Sequence, residues 1–269
     1  MSAAAQIKSV LIWAFALMVL PACAEQVVFQ STETPPYWSE ALPDNGLGGE
    51  MLKLLSDAAG VRYSIDYLPV KRFRNSAAIF MVGDPDILIQ QKRRAIFPVG
   101  FFHSAFFYYN PHHGVIEYRS LRDFRGHTLG VLRGTIEDKE AFVRHGIKVE
   151  ESDSVESLIR KLKKGRIDLC ITVTETTRNT IQRLFPDEQG DFAQVAIPAL
   201  DRPFAIMIDV ENAEGKAIAR RYRQVLKKTL RSKEYRAIVE NFYGAHRIPV
   251  DRDAKLNQFI RYYESTWEN

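Results

Sequence analysis

The 269-residue sequence holds two cysteines, and one of them, Cys23, falls in an N-terminal leader. Cys170 is then left without a partner, which excludes an internal disulfide and makes the mature chain depend on its hydrophobic core. Cys170 sits in the apolar run from Ile167 to Val173, with nothing arranged around it to lower its pKa. It reads as a buried small hydrophobe rather than a catalytic thiol. Long apolar runs are scarce as well: beyond the leader none approaches the ~18 residues of a membrane span, so the mature chain is expected to be soluble. Metal-ligand spacing is missing, since His112 and His113 are adjacent in a turn and His103, His127, His145 and His246 are scattered. Gly-x-Ser-x-Gly, a P-loop and a dinucleotide fingerprint are absent, so neither an enzyme nor a cofactor is expected.

Charge of one sign is in modest excess, at +4. Much of it lies in Arg220, Arg221, Arg223, Lys227, Lys228, Arg231, Lys233 and Arg236, which alternate with Ile218, Tyr222, Val225 and Leu226 at helical spacing. That pattern is a solvated helix face in preference to a docking site for an acidic membrane partner.

What is present begins with export. Lys8 precedes an apolar run of eleven residues, Val10 to Leu20, and then Pro21-Ala22-Cys23-Ala24, the plan of a signal peptide. As a helix the run spans about 16 Å, half of the ~30 Å hydrocarbon core, so cleavage near Glu25 is expected rather than anchoring. Pro21 disfavours the alternative of lipid attachment at Cys23. Export also argues against a nucleic-acid partner.

Short strand-like runs then alternate with helical segments, as in layered α/β proteins. Strands are predicted at Val27–Ser31, Arg62–Leu68 and Asp86–Ile89, with a helix after Gly46 to Gly49 that stops at Gly60 and another over Val70–Phe80. A second set follows the aromatic run Phe101–Tyr109: a strand at Thr128–Leu132 ending in Arg133-Gly134-Thr135, a helix at Ser154–Lys164, and a strand around Cys170. The stretch from Ala193 to Met207, interrupted by Pro198 and Pro203, is where the chain crosses back. Two units with two crossings imply a hinge.

Six segments in order carry a resemblance. They are Pro35-Pro36-Tyr37, Gly46-Leu47-Gly48-Gly49 before a helix, Arg94 before an aromatic strand, Asp123-Phe124-Arg125-Gly126, Gly134-Thr135, and Gly165-Arg166-Ile167-Asp168. Together they resemble the bacterial extracellular solute-binding protein family 3, receptors for polar amino acids and related solutes. Each alone is weak, while their order spans nearly the whole mature chain. The resemblance implies an α/β, two-lobed periplasmic-binding-protein fold of type II, a Venus flytrap with a hinge of two crossings. It divides the chain into a signal peptide (1–24), the first part of lobe 1 (25–110), lobe 2 (111–198), and a return to lobe 1 with C-terminal helices (199–269).

The resemblance also implies a site. Arg94 matches the family arginine that forms a two-pronged bond to a ligand carboxylate, and Arg133, Gly134 and Thr135 offer amides and a hydroxyl to the same anion. Glu33 matches an acid of receptors for cationic amino acids. Tyr37 and Trp38 are placed to cover a ligand beyond the carboxyl ends of the strands, with rim or core packing as the plainer reading of Trp38. Arg72 starts a helix that lines the cleft or is an exposed helical arginine. Asp168 and Thr172 contribute from the second lobe, Asp168 having a second reading as a turn residue. Two departures touch the ligand: Val173 stands where the ammonium-binding aspartate is usual, and Gln91 replaces a serine or threonine. An unpaired buried ammonium costs several kcal/mol, so an ordinary α-amino acid is not secured unless Glu175 or Asp168 compensates. The expected role is a monomeric periplasmic receptor that hands a small polar, carboxylate-bearing solute to an ABC importer. A sensory receptor for a membrane kinase, and a dehydratase-like enzyme using Glu33 or Glu175, are the alternatives.

Overall fold

The computed structural model describes residues 26–88, 93–136, 138–244 and 248–267. The leader expected over 1–24, with Cys23, and the residues Ile89, Gln91 and His246 lie outside the described residues. Strand β1 (Gln26–Ser31) turns Val27, Phe29 and Ser31 inward, and a loop then leads to helix α1 (Gly46–Ala59), ended by left-handed Gly60. Next come β2 (Arg62–Tyr67), the short α2 (Val70–Arg74), β3 (Phe80–Gly83) and β4 (Arg94–Phe102). After β5 (Ser104–Tyr109) and α3 (Asn110–His113) follow β6 (Thr128–Leu132), α4 (Glu140–Arg144) and β7 (Lys148–Ser152). Helix α5 (Val155–Lys163), capped by Ser154, precedes β8 (Leu169–Val173), α6 (Thr174–Leu184) and β9 (Phe192–Ala196). The return passes through β10 (Arg202–Asp209) into α7 (Ala213–Thr229), α8 (Lys233–Tyr243) and α9 (Arg252–Tyr263).

The strands form two five-stranded sheets of one plan, β2-β1-β3-β10-β4 and β7-β6-β8-β5-β9. In each, three parallel strands sit beside a pair that carries the chain between lobes. The pairing also fixes direction. Strand β10 runs antiparallel to β3, with Ala205 opposite Gly83, and to β4, with Arg202 opposite Phe102. The carboxyl ends of β1, β2 and β3 therefore lie at the end of lobe 1 where the chain crosses. In lobe 2, Ser104 of β5 faces Val173 of β8, so the carboxyl ends of β6, β7 and β8 lie at the crossing too. Both lobes present strand ends to one gap.

Several expectations need correction. The helix predicted to reach Phe80 stops at Arg74, because Asn75 Nδ2 bonds back to the Lys71 carbonyl at 2.8 Å and Ser76 Oγ takes the Ala78 amide at 3.1 Å; such local bonds compete with helix continuation. The strand expected from Asp86 is instead a tight turn at Pro85–Ile87, closed by the Asp84 carboxylate on the Asp86 amide at 2.9 Å; the strand is β3 before it. The first crossing falls at His103 rather than after Asn110, so all of β5 belongs to the second sheet. The basic segment forms two helices, interrupted where Ser232 caps α8, and its eight cationic residues are all exposed.

The larger core, in lobe 1, gathers Phe29, Tyr37, Trp38, Leu52, Phe97, Phe204 and Tyr222 under α1, α7, α8 and α9. Lobe 2 has apolar clusters on both faces of its sheet, one around Phe106 and Phe124, the other around Phe107, Leu158 and Cys170. Cys170 is fully buried, and burial pushes its thiol up to about 12, so it is inert as a nucleophile. At the hinge the Asp201 carboxylate lies 3.2 Å from His103 Nδ1, accepts the Ser104 amide at 2.9 Å and pairs with Lys255 of α9. Burial alone would raise its pKa, but His103, Lys255 and the Ser104 amide outweigh it and hold the carboxyl below the usual range.

Candidate functional site

The gap between the strand ends is where a ligand would touch both lobes, as in open α/β sheets generally. From lobe 2, the chain leaves β6 through Arg133, Gly134 and Thr135. Gly134 has φ +79°, and a Cβ there would run into the guanidinium of Arg74 from lobe 1. Among the described residues Arg74 makes one bond, from Nε to the Ile87 carbonyl at 3.1 Å, and its Nη1 faces the Gly134 turn. The carboxyl end of β7 adjoins the turn, the Ser152 carbonyl accepting the Arg133 amide at 2.9 Å, and at that of β1 the Ser31 carbonyl accepts the Leu68 amide at 2.9 Å. Ser31 is 0% and Ser152 4% exposed, and neither hydroxyl has a hydrogen-bond partner among the described residues. Buried hydroxyls are rarely left so. Asp84, at the end of β3, lies 3.2 Å from Arg202 at the start of β10. Burial pushes the Asp84 carboxyl up to about 6, against the pull of Arg202.

The residues singled out from sequence divide between this gap and other places. Arg94 lies at the opposite end of lobe 1. It begins β4 opposite Asp209, eight residues from Phe102, or about 26 Å along the strand. There NH1 donates to the Ala78 carbonyl at 2.9 Å, and burial lowers the guanidinium pKa with Asp209 opposing. Asp168 likewise lies at the outer end of lobe 2, where it accepts the Thr128 amide at 2.6 Å and faces His113 at 3.4 Å. It braces the starts of β6 and β8. Neither residue shares the gap with Gly134.

Tyr37 and Trp38 are core residues, 0% and 1% exposed. Tyr37 packs on Phe102, Phe204 and Phe242, with its hydroxyl against that of Tyr243. The Trp38 ring lies on Gly48, leaving no room for a Cβ, while the Leu47 and Gly48 amides bond the Pro36 and Tyr37 carbonyls at 3.2 and 2.8 Å. Pro35-Pro36-Tyr37 and Gly46-Leu47-Gly48-Gly49 are thus two halves of one structural clasp. The exposed Glu33 accepts the Glu40 amide at 3.0 Å, and Arg72 is exposed on α2.

Arg133 points to solvent, paired with Asp153 at 2.7 Å and Glu151 at 3.2 Å. Gly134 and Thr135 are at the gap, but their amides are engaged, by the Glu151 carboxylate and the Leu132 carbonyl respectively, and the Thr135 hydroxyl also bonds Leu132. Thr172 is buried near the end of β8 with its hydroxyl 2.5 Å from that of Thr177. Val173, in the usual place of an acid, packs against the lobe 1 core. Glu175, the possible substitute, pairs with Arg178 at 3.2 Å. The groups that the sequence did not single out are Arg74, Ser31 and Ser152. Their signal was position, at or just beyond the carboxyl ends of β1, β2 and β7.

No protein-family model matches the chain, and no curated protein matches it. Solved structures do. The arginine-, lysine-, histidine-binding protein ArtJ from Geobacillus stearothermophilus is 16% identical, with 87% of this chain and 100% of that one covered and a TM-score of 0.61. A histidine kinase sensor domain with similarity to periplasmic binding proteins is 16% identical over 81% of this chain and 96% of its own, TM-score 0.61. The substrate binding protein of an amino acid ABC transporter is 14% identical over 81% and 99%, TM-score 0.59. The chain therefore has the two-lobed fold of the periplasmic solute-binding proteins, the architecture that the order of its motifs resembles.

Proposed function

We propose that this chain is an exported receptor, not an enzyme, that captures a small polar, carboxylate-bearing solute between its lobes. The observation that carries the reading is the meeting of the Arg74 guanidinium with the Gly134 turn across the gap between the two sheets. A guanidinium whose terminal N–H groups have no bond among the described residues suits a carboxylate. A guest touching both lobes favours the closed arrangement by its differential affinity. Binding is preferred to catalysis because Glu33 and Glu175, the candidate acids and bases, are engaged by the Glu40 amide and Arg178. Val173 in the usual place of a second-lobe acid, with Glu175 paired to Arg178, argues against a plain α-amino acid and for an organic acid or a modified amino acid. Among the described residues no helix is long and apolar enough to cross a membrane. An ABC importer is the proposed partner. The likeness to a kinase sensor domain supports a second reading, presentation of the closed form to a membrane kinase.

The test is a thermal-shift screen of amino acids, opines and small organic acids, followed by calorimetry and product analysis for each hit. Arg74→Ala is expected to weaken a carboxylate hit at least tenfold, about 1.4 kcal/mol, while changing stability by less than about 0.5 kcal/mol. Equal affinity in the variant would remove the gap assignment, and turnover of the hit would replace the receptor by an enzyme.

A further inference from the structure

A second cavity, of about 910 Å³, opens on the flank of the lobe junction and shares neither Arg74, Gly134, Ser31 nor Ser152 with the gap. Lobe 1 contributes Glu50 of α1 and Asn241 and Phe242 of α8; lobe 2 contributes Asn179 and Gln182 of α6 and Phe192 of β9. Its size is that of small-molecule sites generally. Its chemistry differs from that of the gap. Among the described lining residues the one cation, Arg178, is paired with Glu175 at 3.2 Å and donates from Nε to Gln194 Oε1 at 3.1 Å. The side-chain amides of Asn179, Gln182 and Asn241 are exposed to the cavity, each with a donor and an acceptor to offer. Glu50 adds an acceptor carboxylate, raised above its ordinary pKa by burial and then by Asp44. Phe192 and Phe242, one from each lobe, supply apolar faces.

Paired donors and acceptors, a cation matched by Glu175 among the described residues, and aromatic walls match a molecule with many hydroxyls and no net charge. We propose that this flank cavity is a separate binding site for a neutral polyhydroxylated ligand of mono- or disaccharide size. Such a ligand contacts α6 and α8 together and so bears on the angle between the lobes.

The experiment is calorimetry on the full chain with glucose, maltose and trehalose, against citrate and putrescine, repeated for Gln182→Ala and Asn241→Ala. Both positions are exposed, so folding is retained, and circular dichroism checks it. At least one saccharide is expected to bind, with about tenfold weaker affinity in each variant although the two lie on different lobes. Three results overturn the proposal: no saccharide binds at millimolar concentration, saccharide affinity is the same in both variants, or putrescine alone binds and does so through Glu50, being lost in Glu50→Gln.

Discussion

At the gap end of lobe 1, Arg74 is half-buried, bonded among the described residues to the Ile87 carbonyl, and turned toward a glycine of the other lobe. At the outer end, Arg94 is 6% exposed, bonded to the Ala78 carbonyl and set opposite Asp209. The same side chain is buried within lobe 1 in one place, with Nε and Nη2 lacking a partner among the described residues, and reaches toward lobe 2 in the other. What separates them is strand direction: Arg94 starts a strand that runs toward the hinge, whereas Arg74 follows one that has already arrived there.

That contrast breaks most sharply under Arg94→Ala. Losing one member of a buried charge arrangement is expected to cost on the order of 4 kcal/mol, read as a lower midpoint in urea unfolding, with the folded protein's ligand affinity intact. A binding loss without a stability loss would return Arg94 to the site.

Asp84 sharpens the comparison at the gap end. Its carboxyl titrates at about 6 in the fold, above the ~3.9 of an unfolded aspartate, so the fold binds the extra proton between those values. Stability from this group is complete below pH 4 and is lost as pH rises through 6, by roughly 3 kcal/mol in all. The wild-type minus Asp84→Asn difference in unfolding free energy should therefore fall between pH 4 and 6; a flat difference would mean that the carboxyl titrates normally. Smaller again is Gly48→Ala. The added methyl meets the Trp38 ring and is expected to cost about 2 kcal/mol, measured by chemical denaturation, and an unchanged midpoint would show that the clasp yields. The Arg74→Ala affinity loss, about 1.4 kcal/mol, is the smallest effect and the one that bears directly on function.

Much of the fold was legible in the sequence because its signals are local. Gly60 ends α1, Ser154 caps α5, and the Pro198 and Pro203 interruption marks the second crossing. The site was less legible because it depends on which end of a strand reaches the gap. Nothing in the segment around Arg94 says that it pairs with Asp209 rather than Phe102's neighbours, and nothing in Gly165-Arg166-Ile167-Asp168 says that the aspartate braces the far side of its sheet. Tyr37 and Trp38 misled for another reason: a loop stiff enough to hold rigid aromatics over a ligand is equally fit to drive them into the core. Val173, where an acid is usual, is also an apolar contact from one lobe to the core of the other.

The Asp201 carboxylate, on the second crossing, touches His103 and Ser104 of the first and Lys255 of α9. Any turning of one lobe against the other must leave those partners together or give up a buried anion's support. The pivot is thus an axle with a fixed bearing, and the last long helix of the chain, remote in sequence from both crossings, forms part of its housing.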